Sequence, residues 1–154
     1  MSDLAVPKRK VEVALSLIGG LERRVTLFLA ETSPLHAGGE RVTDLLEGEG
    51  EFVPALEAAG MTFVRRSAIV VAVAPPETAT GAADEVTLPT EHEVDVALDD
   101  GRVVRGLVSY VLPPERSRLV DYLNERARFL PLHAGDALHL VNKQHIARVT
   151  APGR

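Results

Sequence analysis

The 154-residue chain contains no cysteine and no tryptophan. Without cysteine there is no disulfide framework and no thiolate-ligated zinc or iron–sulfur centre. Aromatic residues make up only 4%, which leaves few flat side chains for nucleobases to stack on. Positive charge is the minority sign: 17 Lys and Arg stand against 22 Asp and Glu, a net charge of −5. Bulk electrostatics therefore do not favour nucleic acid, and only a local basic patch could attract it. No stretch reaches the roughly 18 apolar residues of a membrane span. The opening MSDLAVPKRKVEVAL has no long apolar core behind its basic residues, so a signal peptide is not expected. The expectation is a soluble cytoplasmic protein without membrane association. Phosphate-loop (G-x-x-x-x-G-K-[ST]), nucleophile-elbow (G-x-S-x-G) and zincin (H-E-x-x-H) motifs are all missing, and Gly19-Gly20 and Gly38-Gly39 read as turns. No catalytic residue, cofactor or enzyme activity is expected.

What the chain does have is an ordinary globular balance, 45% hydrophobic and 25% charged, and an internal repeat. An offset of 83 places VEVAL (11–15) on VDVAL (94–98) and Val25 on Val108. An offset of 77 places Asp44 on Asp121, Phe52 on Phe129, Pro54 on Pro131, Val64 on Val141 and Ile69 on Ile146. The change of 83 − 77 = 6 implies six extra residues in the first copy, assigned to Thr32–Gly39. Two copies thus occupy 8–76 and 91–152, with 77–90 as an acidic linker; Glu77 to Asp100 holds eight acidic residues and no Lys or Arg.

Each copy opens with period-two alternation, Val11/Val13/Leu15 and Val94/Val96/Leu98, the signature of a half-buried strand. Asp99-Asp100-Gly101-Arg102 supplies a tight turn, and returning strands follow over 22–30 and 103–112. Gly106 within the second of these suggests a bulge or sharp bend. Short helices are expected over 41–47 and 117–125, the second with Ser117 as N-cap; Gly48 and Gly50 argue for stopping both before Phe52 and Phe129. Strand pairs then turn at Arg65-Arg66-Ser67 and Asn142-Lys143-Gln144. The fold expected is mainly β: two tandem small barrels, each of four or five short strands and one short helix, packed as a pseudo-twofold pair.

The segments RLVDYLNERARFLPL (118–132) and LVNKQHIARV (140–149), with the looser RVTDLLE, EFVPAL and VRRSAIVV of the first copy, resemble a bacterial family of Sm-like small β-barrels. The resemblance covers most of the chain and implies a fold, related to SH3-like barrels, with no activity attached to it. Sm-like proteins proper bind RNA through loops that include a glycine-bearing corner between their last two strands, and neither corner here carries that glycine.

His133, His139 and His145 recur every six residues, but the corner at Asn142 separates them and their counterparts Leu56, Thr62 and Ala68 are poor ligands, so no metal is expected. Asp44 and Asp121 read as helix-start carboxylates. The basic stretch Lys8-Arg9-Lys10 reads as solvated surface. The candidate binding residues are the corner and helix-entry group Arg65, Arg66, Arg116, Arg118, Asn142 and Lys143, with Asn142 also serving its own turn. A non-catalytic adaptor or regulatory module for a protein partner, in a bacterial signalling or assembly complex, is the leading expectation. A single-stranded RNA binder is the alternative, and homo-oligomerisation is left open.

Overall fold

The computed structural model describes residues 8–33, 38–76, 89–116 and 118–152, and within them the protein is mainly β. The first half contributes β1 (Lys8–Leu17), β2 (Leu21–Ala30), α1 (Val42–Leu46), β3 (Phe52–Glu57), β4 (Gly60–Arg65) and β5 (Ile69–Ala74). The second contributes β6 (Thr90–Leu98), β7 (Val103–Tyr110), α2 (Leu119–Leu123), β8 (Phe129–Ala134), β9 (Ala137–Asn142) and β10 (Ile146–Thr150). Most of the acidic linker, 77–88, lies outside the described residues, as do 34–37 of the inserted loop.

The strands form one antiparallel sheet in the order β10-β6-β7-β8-β9-β5-β1-β2-β3-β4, and the sheet does not close. Each half has the same internal order, its fifth strand beside its first. The pairing thus shows one open, continuous sheet in place of two separate barrels. It also corrects the expected twofold relation. A twofold would set a strand against its own counterpart, whereas β5 pairs with β9, the counterpart of β4. The halves are joined head to tail.

The pairing corrects the repeat arithmetic as well. Ser16↔Val71 in one half corresponds to Ala97↔Arg148 in the other, so β1 and β6 are related by 97 − 16 = 81. Thr26↔Leu56 and Leu107↔His133 give the same 81 for β2 and β7. The first half therefore carries four extra residues, not six. The error was invisible in the pattern because a two-residue slip keeps every side chain on its own face.

Two cores result. Val13, Leu15, Val25, Leu27, Leu29, Val42 and Leu46 anchor the first, and Val94, Val96, Leu98, Val108 and Leu132 the second. Each is completed across the joint: Phe129, Leu138 and Leu140 enter the first core, Val70 and Val71 the second. The helices are equivalent one-turn devices. In each, the third residue is an aspartate that accepts the N–H of the residue opening the turn, Arg41 to Asp44 at 2.9 Å and Arg118 to Asp121 at 3.2 Å. The second helix is therefore entered at Arg118; Ser117, expected as its cap, lies outside the described residues. Tyr122 of α2 stacks on Tyr110 of β7 with ring centroids 4.4 Å apart.

Gly101 takes a φ of 94° in the β6–β7 turn, as Asp-Gly requires. Gly106 makes no bulge: the β6·β7 register runs through it unbroken, Val94 opposite Gly106. Its reason is the close passage of β8. A Cβ there would lie 2.7 Å from Leu132 Cγ and 2.8 Å from the His133 carbonyl oxygen. The register breaks fall elsewhere, at Ser16/Leu17 and at Ile146/Arg148. Gly106→Ala should lower the unfolding free energy in urea by about 2 kcal/mol, the cost of forcing a methyl into a filled space. A change under about 0.5 kcal/mol would mean that β7 and β8 are not in such contact.

Candidate functional site

The two 3-10 corners, Arg66–Ala68 after β4 and Lys143–His145 after β9, lie side by side because β5 and β9 pair. Between them opens a solvent-accessible cleft of about 390 Å³. Of the residues singled out from the sequence, Arg65, Arg66, Asn142 and Lys143 line it. Arg118 is elsewhere, exposed at the start of α2 and paired with Asp121 at 3.1 Å. Arg116 ends the 3-10 turn Pro114–Arg116 before α2.

Arg66 and Lys143 occupy equivalent positions and do the same task. The buried Arg66 guanidinium donates to the carbonyls of Gly50 and, at 2.8 Å, of Leu45. The Lys143 ammonium donates to those of Leu123 and Glu125, both at 3.0 Å. Each cation braces the end of its helix, at the Leu45 or Leu123 carbonyl, together with one carbonyl of the loop beyond, and sits at the favourable end of the dipole. Gly48 leaves the room that Arg66 needs, since a Cβ there would lie 2.7 Å from its Nη2. Burial pushes both cations below their usual ranges, Arg66 being further depressed by the nearby Arg128 charge; Glu47 opposes the shift in both, and Glu125 in Lys143.

Asn142 is the deepest polar group in the cleft, 3% exposed. Its side-chain oxygen accepts the Gln144 N–H at 3.0 Å, the bond back to the chain that asparagine suits. The backbone there is extended, φ −69° and ψ 120°. Its amide instead reaches across the joint, donating to the Ile69 carbonyl at 2.9 Å and the Arg66 carbonyl at 3.4 Å.

Sequence reasoning missed two further latches. Glu47, which follows α1, accepts the N–H groups of Arg128 at 2.9 Å and Phe129 at 2.8 Å. His145 Nε2 donates to the Ser67 carbonyl oxygen at 2.8 Å, and its Nδ1 lies 3.2 Å from the Asp99 carboxylate. His139, opposite Val73 in the joint, is held below its usual pKa by burial. Among the described residues no three His, Cys, Asp or Glu side chains are grouped to hold a metal ion.

Two more features bear on binding. Arg65 is exposed, pairs with Glu51 at 3.2 Å and lies 4.7 Å over the Phe52 ring. On the same outer face of β3 and β4, Phe52, Leu56, Met61 and Phe63 are exposed. The sequence matches no family model, and no curated protein or solved structure matches it. No helix among the described residues is long and apolar enough to cross a membrane.

Asn142→Ala should cost about 1–3 kcal/mol of stability, because it removes the buried amide that donates to the Ile69 carbonyl and the acceptor of the Gln144 N–H. Arg65→Ala, at the equivalent exposed position, should cost under about 1 kcal/mol. Equal losses in denaturant titrations would refute the latch.

Proposed function

We propose that this chain is a non-catalytic protein-binding module, an adaptor or regulatory subunit built from two fused Sm-like half-sheets, and that its binding surface is the outer β3–β4 edge. The observation that carries the reading is the row Phe52, Met61 and Phe63 beside a sheet edge that has no second strand among the described residues. An edge strand offers a ladder of backbone donors and acceptors, and adjacent apolar side chains add desolvation to it. An extended polypeptide segment fits that combination.

The corner cleft supports protein over RNA. Arg66 and Lys143 are committed to backbone carbonyls, Arg65 and Arg128 are engaged with Glu51 and the Gly48 carbonyl, and Glu49 and Glu51 stand on the same wall. Glu49 and Glu51 offset half of the four positive charges that line the cleft. Phe52, the aromatic at that rim, is already covered by Arg65. Arg65 flanks both the cleft and the edge, so of the basic residues it is the one assigned a direct contact; Arg66, Asn142 and Lys143 hold the surface in shape. Arg118 opens α2 and is paired with Asp121.

The test is affinity capture with the intact chain as bait, before and after nuclease. The module should retain a specific protein after nuclease, lose it with Phe63→Glu or Met61→Glu, and keep it with Arg118→Ala. Capture that disappears with nuclease, or is indifferent to both edge substitutions, would overturn the assignment.

A further inference from the structure

We infer that the chain carries a second site, a cleft between the β1–β5–β9 face and the start of β7, which takes a small uncharged amide through Ser16 and His139. It uses no residue of β3 or β4 and does not rest on the reading of that edge.

The joint between the halves builds the site. Pairing of β5 with both β1 and β9 sets Ser16 opposite Val71 and His139 opposite Val73. Opposite residues of antiparallel strands share a face, as do residues two apart along one strand. Ser16 and His139 therefore stand at diagonal corners of one patch whose middle is Val71 and Val73. Glu22, opposite Ser16 on β2, joins it. With Arg102 and the start of β7 this patch lines a solvent-accessible cleft of about 400 Å³, the size of a small-molecule site.

Two observations point to an occupant. Ser16 is 7% exposed, and its hydroxyl oxygen, like Nδ1 of His139, is buried with no hydrogen-bond partner among the described residues. Buried polar atoms are almost always bonded, because an unpaired one costs stability. The sheet itself calls for neither group: Ala97 holds the place of Ser16 in the other half, and Thr62 that of His139. The register of β1 on β5 also breaks between Ser16 and Leu17, and such irregularities commonly re-aim a side chain beside a site. The second observation is on β7. Through 103–105 it pairs with β6, but it meets β8 only at Leu107↔His133. Alternate residues of that stretch turn their backbone N–H and C=O groups away from β6, and no β8 residue is in register with them.

These groups define the ligand. Val71 and Val73 offer it an apolar floor. Burial holds the His139 imidazole below its usual pKa, so at pH 7 the ring is neutral, one nitrogen donating and the other accepting. The Ser16 hydroxyl and the free stretch of β7 likewise present both a donor and an acceptor. An amide matches all three, having one of each and no charge. An anion is disfavoured by the charges at the rim. Arg102 pairs with Asp100 at 2.8 Å and with Glu22 at 3.8 Å, and Arg105 pairs with Asp95 at 2.7 Å. Two guanidiniums there face three carboxylates.

Titration of the proton–nitrogen NMR spectrum with benzamide tests this, alongside benzoate and the variants Ser16→Ala and His139→Thr, each of which installs the residue of the other half. Benzamide should give saturable shifts centred on Ser16, Val71, Val73 and 103–105. Each variant should weaken its binding at least about tenfold, and benzoate at neutral pH should bind the wild type more weakly by a similar factor. Ser16→Ala should melt no lower than the wild type, because the hydroxyl it removes has no partner. Absence of saturable shifts at these residues, undiminished binding by either variant, or benzoate binding as tightly as benzamide overturns the inference. A Ser16→Ala chain that melts several degrees lower, or fails to fold, also overturns it, since the hydroxyl would then be structural.

Discussion

The antiparallel pairing of β5 with β9 is the constraint on which the rest of the molecule depends. Five short strands and one turn of helix make a thin core, and neither half closes its own sheet. Setting β9 against β5 lets Phe129, Leu138 and Leu140 finish the first core and Val70 and Val71 the second. The same pairing brings the two corners together and so creates the cleft. It also consumes one edge from each half and leaves the other, which gives the molecule its polarity.

The polar residues around the joint follow from this geometry. A one-turn helix cannot satisfy its own terminal carbonyls, and each half answers with a basic side chain from its corner, Arg66 in one and Lys143 in the other. These cations were the most conspicuous candidates for ligand contact, and each turns two hydrogen bonds to backbone carbonyls. At the joint itself the frame uses groups present in one half only. Asn142, Glu47 and His145 bind carbonyls and amides across the halves, while Arg65, Asn124 and Ala68 stand at the equivalent positions.

That asymmetry marks how much was legible in the sequence. Among the described residues the strands, at the upper expected count of five in each half, and both helices fall close to where the opening alternation, the Asp-Gly turn and the paired glycines Gly48 and Gly50 place them, because those signals are local. The repeat was visible, but its register was not: a two-residue slip between β1 and β6 leaves every residue on the same face. Gly106 was noticed for the right reason, a demand on the backbone, and given the wrong cause, since the strand that crowds it is distant in sequence. The relation between the halves was hidden as well. Which strand meets which across the joint depends on surfaces such as Leu140, and a buried Leu140 and an exposed Phe63 look alike in a string of letters. The useful trace was where the repeat is broken: Asn against Arg at 142 and 65, Glu against Asn at 47 and 124. Those breaks are the joint's own chemistry.

Amide hydrogen exchange in dilute solution tests the central claim most directly, by comparing β9 with its counterpart β4. A strand bonded on both sides opens only with the whole sheet, whereas an edge strand exchanges through local fraying. The account predicts that the slowest β9 amides, around Leu138 to Val141, exchange at the rate of global unfolding, and that those around Met61 to Val64 include a set exchanging far faster. Equal protection of β4 and β9 in monomeric protein, or fast exchange along β9, would contradict the joint.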